Sequence, residues 1–247
     1  MTGARGRLLL LPTPLGPTPA QDVLPAPVVA AARATRHFLA ERAKSARAFL
    51  RAIAHPLPLR ALTITEIGHR PDVARIDAWL RPALDGEDVA IVVEAGCPGV
   101  ADPGASIVAR AHALDIPVKP LVGPSAILLT LMASGFNGQQ FRFVGYLPQD
   151  ARALVQAIAA LESRARGGET QVWIETPYRN EKLFGTLLAH CAADTELCIA
   201  VSLTTAQEFI ARRPIAQWRD APLPAGLLRH PTVFALAAAP LSRRRAQ

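Results

Sequence analysis

The stretch that decides the fold spans residues 89–104 and reads VAIVVEAGCPGVADPG. Its first five residues are apolar and small, as in a buried strand, and they lead directly into the carboxylate of Glu94. Three glycines and two prolines follow within nine residues, so steric freedom and fixed φ angles set the backbone path more than side-chain packing does. A strand that runs into so specified a loop is typical of a ligand-binding segment.

The rest of the chain repeats the same order of a short apolar run, a Gly/Pro turn and an amphipathic segment. This alternation predicts an α/β protein with mostly parallel sheets. Strands are expected at 7–11, 37–41, 61–65, 89–93, 117–122, 141–144, 171–174, 197–203 and 232–237. Helices are expected at 73–84, 123–134, 151–164 and 180–190, the first of them capped near Asp72.

A length of 247 residues exceeds the usual size of one hydrophobic core, so two domains are expected. The pattern restarts near Gly123, which divides the chain into an amino-terminal lobe, residues 1–122, and a carboxyl-terminal lobe, residues 123–247. No apolar run approaches the about 20 residues of a membrane span, so a soluble protein that does not bind membranes is expected.

Composition points to the cytoplasm and to an anionic partner. Three cysteines without a paired framework suit a reducing compartment and argue against a disulfide scaffold. A net charge of +7 suggests an anionic partner such as RNA. However, only three of the 27 basic residues are lysines, and codon bias toward arginine would also produce this excess of arginine. The arginines at 243–245 are interpreted as a solvated tail.

Two further segments qualify as ligand sites, and each also has a purely structural explanation. Residues 12–16, PTPLG, follow the first strand, where open α/β sheets bind ligands, but a tight turn explains them equally well. Gly123, Pro124 and Ser125 open a helix and can offer N–H groups and a hydroxyl to a ligand, or Ser125 can simply be the N-cap.

Other kinds of site find little support in the sequence. The match of EAGCPG to dinucleotide-binding loops is weak, because Pro98 lacks an N–H and the motif follows a fourth strand. Cys191 and Cys198 are not part of a paired C-x-x-C, so no metal site is predicted. Cys97 has no histidine that the sequence places beside it, and it is interpreted as a packing residue.

Taken in order, these segments resemble the tetrapyrrole methylase superfamily of S-adenosylmethionine-dependent methyltransferases. The family's PTPxGN turn is matched by PTPLGP at 12–17, and its DAGTPxxxDPG loop by EAGCPGVADPG at 94–104. Its PLPGPxA, GFLP and YExxxR segments are matched by PLVGPSA at 120–126, GYLP at 145–148 and IETPYR at 174–179. The resemblance covers nearly the whole chain and is strongest to the members that methylate small-subunit ribosomal RNA.

The resemblance implies two α/β lobes, a homodimer, and S-adenosylmethionine as the methyl donor in a cleft between the lobes. The implied donor contacts are Glu94, Gly96, Cys97, Pro98, Val100, Ala101, Asp102, Ser125, Ala126, Thr176, Pro231 and Thr232. The implied acceptor contacts are Pro12, Thr13, Pro14 and Gly16. The implied reaction is methylation of the ribose 2′-hydroxyl of a cytidine, an in-line displacement that depends on positioning and water exclusion and requires no metal.

The acceptor side departs from the family pattern. The family's AEDTR segment reads AERAK at 40–44, and a histidine that follows it is Ser45 here. Glu41 and Lys44 are the candidate catalytic residues, since a base assists deprotonation of a hydroxyl, although each can equally be a surface charge. The family's histidine- and asparagine-containing segment is replaced by TEIGHR at 65–70. Three functions therefore stay open: methylation of ribosomal RNA, methylation of a tetrapyrrole or other small molecule, and binding of donor and RNA without catalysis.

Overall fold

A computed structural model describes residues 5–224, 226–227 and 229–238 of the chain. The chain folds as two compact units, Met1–Ser125 and Ala126–Gln247. Each unit contains one five-stranded sheet with helices packed on it, so the predicted α/β class is confirmed. The division predicted between residues 122 and 123 falls just before the observed boundary. The arginines at 243–245 lie outside the described residues.

The sheet of the first unit consists of five parallel strands. From edge to edge they are Thr63–Glu66 (β3), His37–Ala40 (β2), Val89–Val92 (β4), Leu8–Leu11 (β1) and Val118–Pro120 (β5). The central strand β4 pairs with both β1 and β2, and none of its residues is more than 1% exposed. A strand buried on both faces has a continuous apolar sequence, which is why VAIV is so informative.

Helices cover both faces of this sheet. They are Ala20–Val23 (α1), Ala26–Ala34 (α2), Ala43–Ala52 (α3), Ile76–Leu84 (α4) and Ala105–Ala113 (α5), with 3₁₀ turns at Leu59–Ala61 and Val73–Arg75. Alternate residues of β1 face opposite layers, because side chains of a strand alternate. Leu9 lies in the core with α1, α2 and α3, whereas Leu8 lies in the core with α4 and α5.

The connections of this sheet diverge between β1 and β4. From β1 the chain runs to β2, toward one edge of the sheet, whereas from β4 it runs to β5, at the other edge. In open α/β sheets such a divergence leaves a crevice at the carboxyl ends of the two strands, where ligands bind. The motifs at 12–16 and 94–104 both begin at this crevice.

The sheet of the second unit is mixed. Its strand order is Phe141–Phe143 (β6), Thr170–Glu175 (β7), Thr232–Ala237 (β10), Glu196–Val201 (β8) and Phe209–Pro214 (β9). β6 and β7 are parallel, and the other neighbouring strands pair antiparallel. The end of β7 therefore lies beside the start of β10, with Glu175 opposite Thr232.

The helices of the second unit are Ala126–Ser134 (α6), Ala151–Arg166 (α7), Pro177–His190 (α8) and Ile215–Asp220 (α9). α7, α8 and α9 share the main core, in which Trp173 stacks on Phe234 with ring centroids 5.5 Å apart. α6 packs in a separate cluster through Ile127, against Val172 and Val233. Within the described residues, no helix combines the length and the apolar character that crossing a membrane requires.

The sequence pattern indicates the strands better than the helices. Every predicted strand is present, although 61–65 is corrected to Thr63–Glu66 because Leu59–Ala61 form a 3₁₀ turn. The helix predicted at 73–84 likewise begins with a 3₁₀ turn, where the Asp72 side chain accepts the N–H of Ala74. The pattern does not indicate α1, α2, α3, α5, β9 or α9. β9 is an edge strand that ends at Pro214, and proline weakens a strand pattern.

Asp150 is the N-cap of α7, and its side chain accepts the backbone N–H of Ala153 at 2.8 Å. We expect Asp150→Ala to lower the free energy of unfolding by about 1 kcal/mol, because an N–H of the first turn loses its partner. Urea denaturation measures the change, with Glu181→Ala, an exposed acidic residue of α8, as the control. An effect no larger than that of the control would contradict the capping role.

Candidate functional site

The carboxyl ends of β1 and β4 are joined by a short backbone bridge between Thr13 and Gly96. The N–H of Thr13 donates to the carbonyl of Gly96 at 2.9 Å, and the N–H of Gly96 donates back at 3.2 Å. The Thr13 hydroxyl donates to the Val93 carbonyl at 3.2 Å, and Thr13 is buried. The PTPLG turn and the loop after Glu94 are therefore fixed side by side.

The loop at 96–104 has a backbone that few residue types adopt. Gly104 has a φ of +143°, and a Cβ at this position would lie 3.2 Å from the nitrogen of Gly99. Ala101 has a φ of +65°, a left-handed conformation that costs a residue with a Cβ about 1 kcal/mol. Strain of this kind concentrates at ligand-binding segments, and both Val100 and Ala101 are exposed.

The segment after β5 closes on the same two loops. The Cys97 thiol lies 3.4 Å from the carbonyl oxygen of Pro124. A Cβ on Gly123 would lie 2.3 Å from the Cβ of Pro12, so glycine is what allows this approach. Residues 12–16, 94–104 and 121–125 thus form one continuous surface, which we call the carboxyl-edge surface.

Cys97 belongs to the packing of this surface. Burial raises the pKa of its thiol, and the negative charge of Asp102 raises it further. The thiolate, which is the nucleophilic form, is therefore disfavoured at neutral pH. The sequence-based interpretation of Cys97 as a packing residue agrees with its contacts to the Gly123 and Pro124 carbonyls.

Glu41 is a buried carboxylate at the end of β2, and its side chain is 3% exposed. Its Oε2 accepts the backbone N–H of Glu94 at 2.9 Å. Its Oε1 lies 2.5 Å from Nδ1 of His69, a residue on the turn after β3 whose side chain is 64% exposed. Glu41 thereby connects the carboxyl ends of β2, β3 and β4.

Glu94 is held by Arg42 and Ser45, two of the residues that depart from the family pattern. Its Oε1 accepts the hydroxyl of Ser45 at 2.7 Å, and its Oε2 lies 3.3 Å from Nε of Arg42. Arg42 and Ser45 therefore fix an acid on the carboxyl-edge surface. Lys44, by contrast, is exposed on α3, and no described residue forms a hydrogen bond or ion pair with it.

Asp102 shares the electrostatic environment of these groups. The pKa of Asp102 is raised to about 6, chiefly by burial and next by the charge of Glu41, while His69 opposes the rise and Glu94 adds to it. Four titratable side chains, Glu41, His69, Glu94 and Asp102, therefore form one cluster with an excess of acids. Such a cluster favours a cationic ligand group over an anionic one.

Glu41, His69 and Glu94 also present ligand atoms within 4.8 Å of one another, a spacing that a metal ion can occupy. Each of their four carboxylate oxygens already faces a donor from the protein: His69 and the Glu94 N–H at Glu41, and Ser45 and Arg42 at Glu94. We therefore interpret the group as a hydrogen-bonded and ion-paired network.

In the second unit, Thr176 follows the end of β7 beside a buried carboxylate. Its N–H donates to Oε1 of Glu175 at 2.8 Å, and Nη2 of Arg179 lies 3.3 Å from Oε2 of the same side chain. Arg179 also donates to the carbonyls of Leu147 and Pro148, each at 3.0 Å. The segments GYLP and IETPYR are thus tied together, and they line a cleft with Thr176.

Thr232, the first residue of β10, lies in a second buried network of this unit. Nδ2 of Asn180 donates to the Thr232 hydroxyl oxygen at 3.0 Å and to the Leu227 carbonyl at 2.6 Å. The Oδ1 atom of Asn180 is buried without a hydrogen-bond partner among the described residues. Pro231 is exposed beside this network, at the same end of the sheet as Thr176.

The predicted site residues fall into two groups, one in each unit. The carboxyl-edge surface contains Pro12, Thr13, Pro14, Gly16, Glu94, Gly96, Cys97, Pro98, Val100, Ala101, Asp102 and Ser125. The second unit contains Ala126, Thr176, Pro231 and Thr232. Sequence reasoning missed His69, Ser45 and Asn180 as members of these networks. The signal for His69 was its place after the third strand, where carboxyl-end loops converge.

Comparison with known proteins identifies the family of this chain. The family model of the tetrapyrrole (corrin/porphyrin) methylases matches residues 22–218. A ribosomal RNA small subunit methyltransferase I from Micromonospora olivasterospora is 33% identical over 84% of this chain and 62% of its own length. A protein of the same name from Mycobacterium bovis is 30% identical over 95% of this chain and 79% of its own length.

Among solved structures, the methyltransferase CobJ superposes with a TM-score of 0.62 at 20% identity, over 95% of each chain. That likeness supports the fold. The chain spans about three fifths of the length of the Micromonospora relative. The family model covers most of the sequence, and the predicted resemblance is confirmed. The chain belongs to the tetrapyrrole (corrin/porphyrin) methylase family.

Proposed function

We propose that this protein is an S-adenosylmethionine-dependent methyltransferase that methylates the ribose 2′-hydroxyl of a cytidine in small-subunit ribosomal RNA. Family membership supports methyl transfer, and the names of the relatives support ribosomal RNA as acceptor. The net charge of +7 favours a polyanionic partner. A ribosomal substrate also supports the cytoplasm as its location.

The observation that carries the proposal is the joining of three carboxyl-end loops into one surface by the Thr13–Gly96 bridge and the Cys97 contacts. This surface combines glycine-rich backbone with the acidic side chain of Asp102, half-buried beside Glu94. A sulfonium donor carries a positive charge on sulfur, so an acidic cluster suits it. The proposed donor contacts in the first unit are Glu94, Gly96, Cys97, Pro98, Val100, Ala101, Asp102 and Ser125.

Four further residues are proposed donor contacts in the second unit: Ala126, Thr176, Pro231 and Thr232. Thr176 and Thr232 lie at one end of its sheet, next to the Glu175 and Asn180 networks. We therefore expect the backbone amides of both networks to exchange their hydrogens more slowly when the donor is bound.

The acceptor is proposed to bind at the PTPLG turn, through Pro12, Thr13, Pro14 and Gly16. Thr13 is buried and rigidly held, so this turn is suited to orienting an acceptor beside the donor loop. Methyl transfer from a sulfonium is an in-line displacement, and fixing donor and acceptor in line supplies a large part of the rate enhancement.

The direct test incubates the protein with methyl-labelled S-adenosylmethionine and small ribosomal subunits from a strain that lacks the corresponding enzyme. We expect label in ribosomal RNA at a cytidine ribose. Donor binding without label in RNA would favour a binding protein that lacks catalysis, and label in a tetrapyrrole would favour the small-molecule reaction. Absence of donor binding, measured by calorimetry, would contradict all three functions.

We also propose a homodimer that forms through α6. Leu128 and Met132 are one helical turn apart on this helix and are 50% and 75% exposed, whereas Ile127 and Leu131 are buried. A helix that is apolar all round is expected to be covered on both sides. We infer that a second copy of the chain packs against the exposed face that contains Met132.

Asp102→Asn should weaken binding of S-adenosylmethionine by about tenfold, equivalent to about 1.4 kcal/mol, and weaken binding of S-adenosylhomocysteine much less. The reason is that only the first has a charged sulfur. In the unsubstituted protein, affinity for S-adenosylmethionine should fall as the pH falls through about 6, because Asp102 gains a proton and loses its charge.

Calorimetric titration measures both effects, with Asp115→Asn, an exposed acid after α5, as the charge-matched control. Equal losses for the two ligands in Asp102→Asn would remove Asp102 from the proposed contact with the sulfonium.

Met132→Glu should convert the dimer to a monomer, because the new charge would be buried at the interface. Analytical ultracentrifugation measures the mass of the variant. Val73→Glu, which also places an acid at an exposed apolar position, is the control and should leave the dimer intact. A dimeric Met132→Glu variant would contradict the proposed interface.

A further inference from the structure

His69 is a histidine on the carboxyl-edge side of the first unit that no step described above uses. It follows β3 in the segment TEIGHR, where this chain departs from its family. Ile67 anchors the segment, since its N–H donates to the Ala40 carbonyl at 2.8 Å and its side chain is buried. Gly68 has a φ of +65°, and this turn places the His69 ring against Glu41.

The two ring nitrogens of His69 have different surroundings. Nδ1 lies 2.5 Å from the buried Oε1 of Glu41, whereas Nε2 has no hydrogen-bond partner among the described residues. A carboxylate beside Nδ1 favours the tautomer with the proton on that nitrogen, which leaves the lone pair on Nε2. The 64% exposure of the side chain makes that lone pair accessible to a substrate.

Glu41 is itself fixed from the other side. Its second oxygen accepts the backbone N–H of Glu94, the first residue of the donor loop after Val93. Orientation of a histidine by a buried, hydrogen-bonded carboxylate is the arrangement by which enzymes hold an imidazole in one tautomer and stabilise its protonated form.

We propose that His69 is the general base that deprotonates the acceptor hydroxyl, and that Glu41 is the residue that positions it; this inference rests on the proposed methyl transfer. His69 Nε2 accepts the proton of the ribose 2′-hydroxyl while the oxygen forms its bond to the methyl carbon. The S–CH₃ bond breaks, and its electron pair remains on sulfur, giving neutral S-adenosylhomocysteine. The resulting imidazolium is paired with the Glu41 carboxylate until solvent takes the proton.

This proposal differs from the sequence-based prediction of Glu41 and Lys44 as catalytic residues. Both oxygens of Glu41 are engaged inside the protein, so Glu41 acts through His69. Lys44 is exposed, and no described residue connects it to Glu41 or His69. The base on the acceptor side is thus supplied from the loop after β3.

The test uses the full chain, labelled S-adenosylmethionine and unmethylated small ribosomal subunits. His69→Ala should lower the rate constant for methyl transfer, measured at saturating S-adenosylmethionine, by about 100-fold or more. Because the side chain is exposed, its removal opens a site that added imidazole can enter, and millimolar imidazole should restore part of the rate. Glu41→Gln should also lower the rate, and imidazole should not restore it.

His112→Ala is the matched control, because His112 is an exposed histidine in the last turn of α5, at the opposite edge of the sheet. Full activity of His69→Ala would overturn the assignment. A loss of activity that imidazole does not reverse, in a variant with unchanged melting temperature and donor affinity, would also overturn it. If the unsubstituted protein binds the donor and transfers no methyl group to RNA, that result contradicts the proposed function. It is obtained without any variant, so it can be distinguished from a failure of the His69 assignment.

Discussion

Two backbone hydrogen bonds between Thr13 and Gly96 determine how the first unit presents its loops. They join strands that are neighbours in the sheet but distant in sequence, and they do so at the point where the chain connections diverge. With the bridge in place, the Cys97 thiol reaches the carbonyls after β5, and the N–H of Glu94 reaches the carboxylate of Glu41. Strained and glycine-rich segments can persist there because the surrounding strands are fully buried.

The electrostatics of this surface follow from the same geometry. Carboxyl ends of parallel strands converge, so acids that are far apart in sequence become neighbours, and burial together with mutual repulsion raises the pKa of Asp102. Arg42 and Ser45 balance this repulsion by holding Glu94. Arg42 and Ser45, which depart from the family pattern in the sequence, therefore both have defined contacts with Glu94.

Much of the fold was predictable because its strands are short apolar runs closed by glycine and proline. The loop at 94–104 was recognisable because the positive φ angles at Gly96, Gly99 and Gly104 favour glycine. The loop at 12–16 was recognisable by its two prolines, which fix φ. The positions of Glu41 and His69 relative to each other were not predictable, because they depend on the order of strands in the sheet. The helix α2 also escaped prediction, since many of its residues are alanines, which carry little apolar pattern. The helix α3 was missed although its buried residues Ala43, Ala46, Phe49 and Leu50 recur at helical spacing.

We propose that the donor binds at the carboxyl-edge surface. Amide hydrogen exchange with and without S-adenosylmethionine tests that claim most directly. We predict slower exchange in all three of its segments, at residues 12–16, 94–104 and 121–125, because the bridge and the Cys97 contacts make them one surface. Protection confined to other parts of the chain, with these three segments unchanged at saturating donor, would contradict the account.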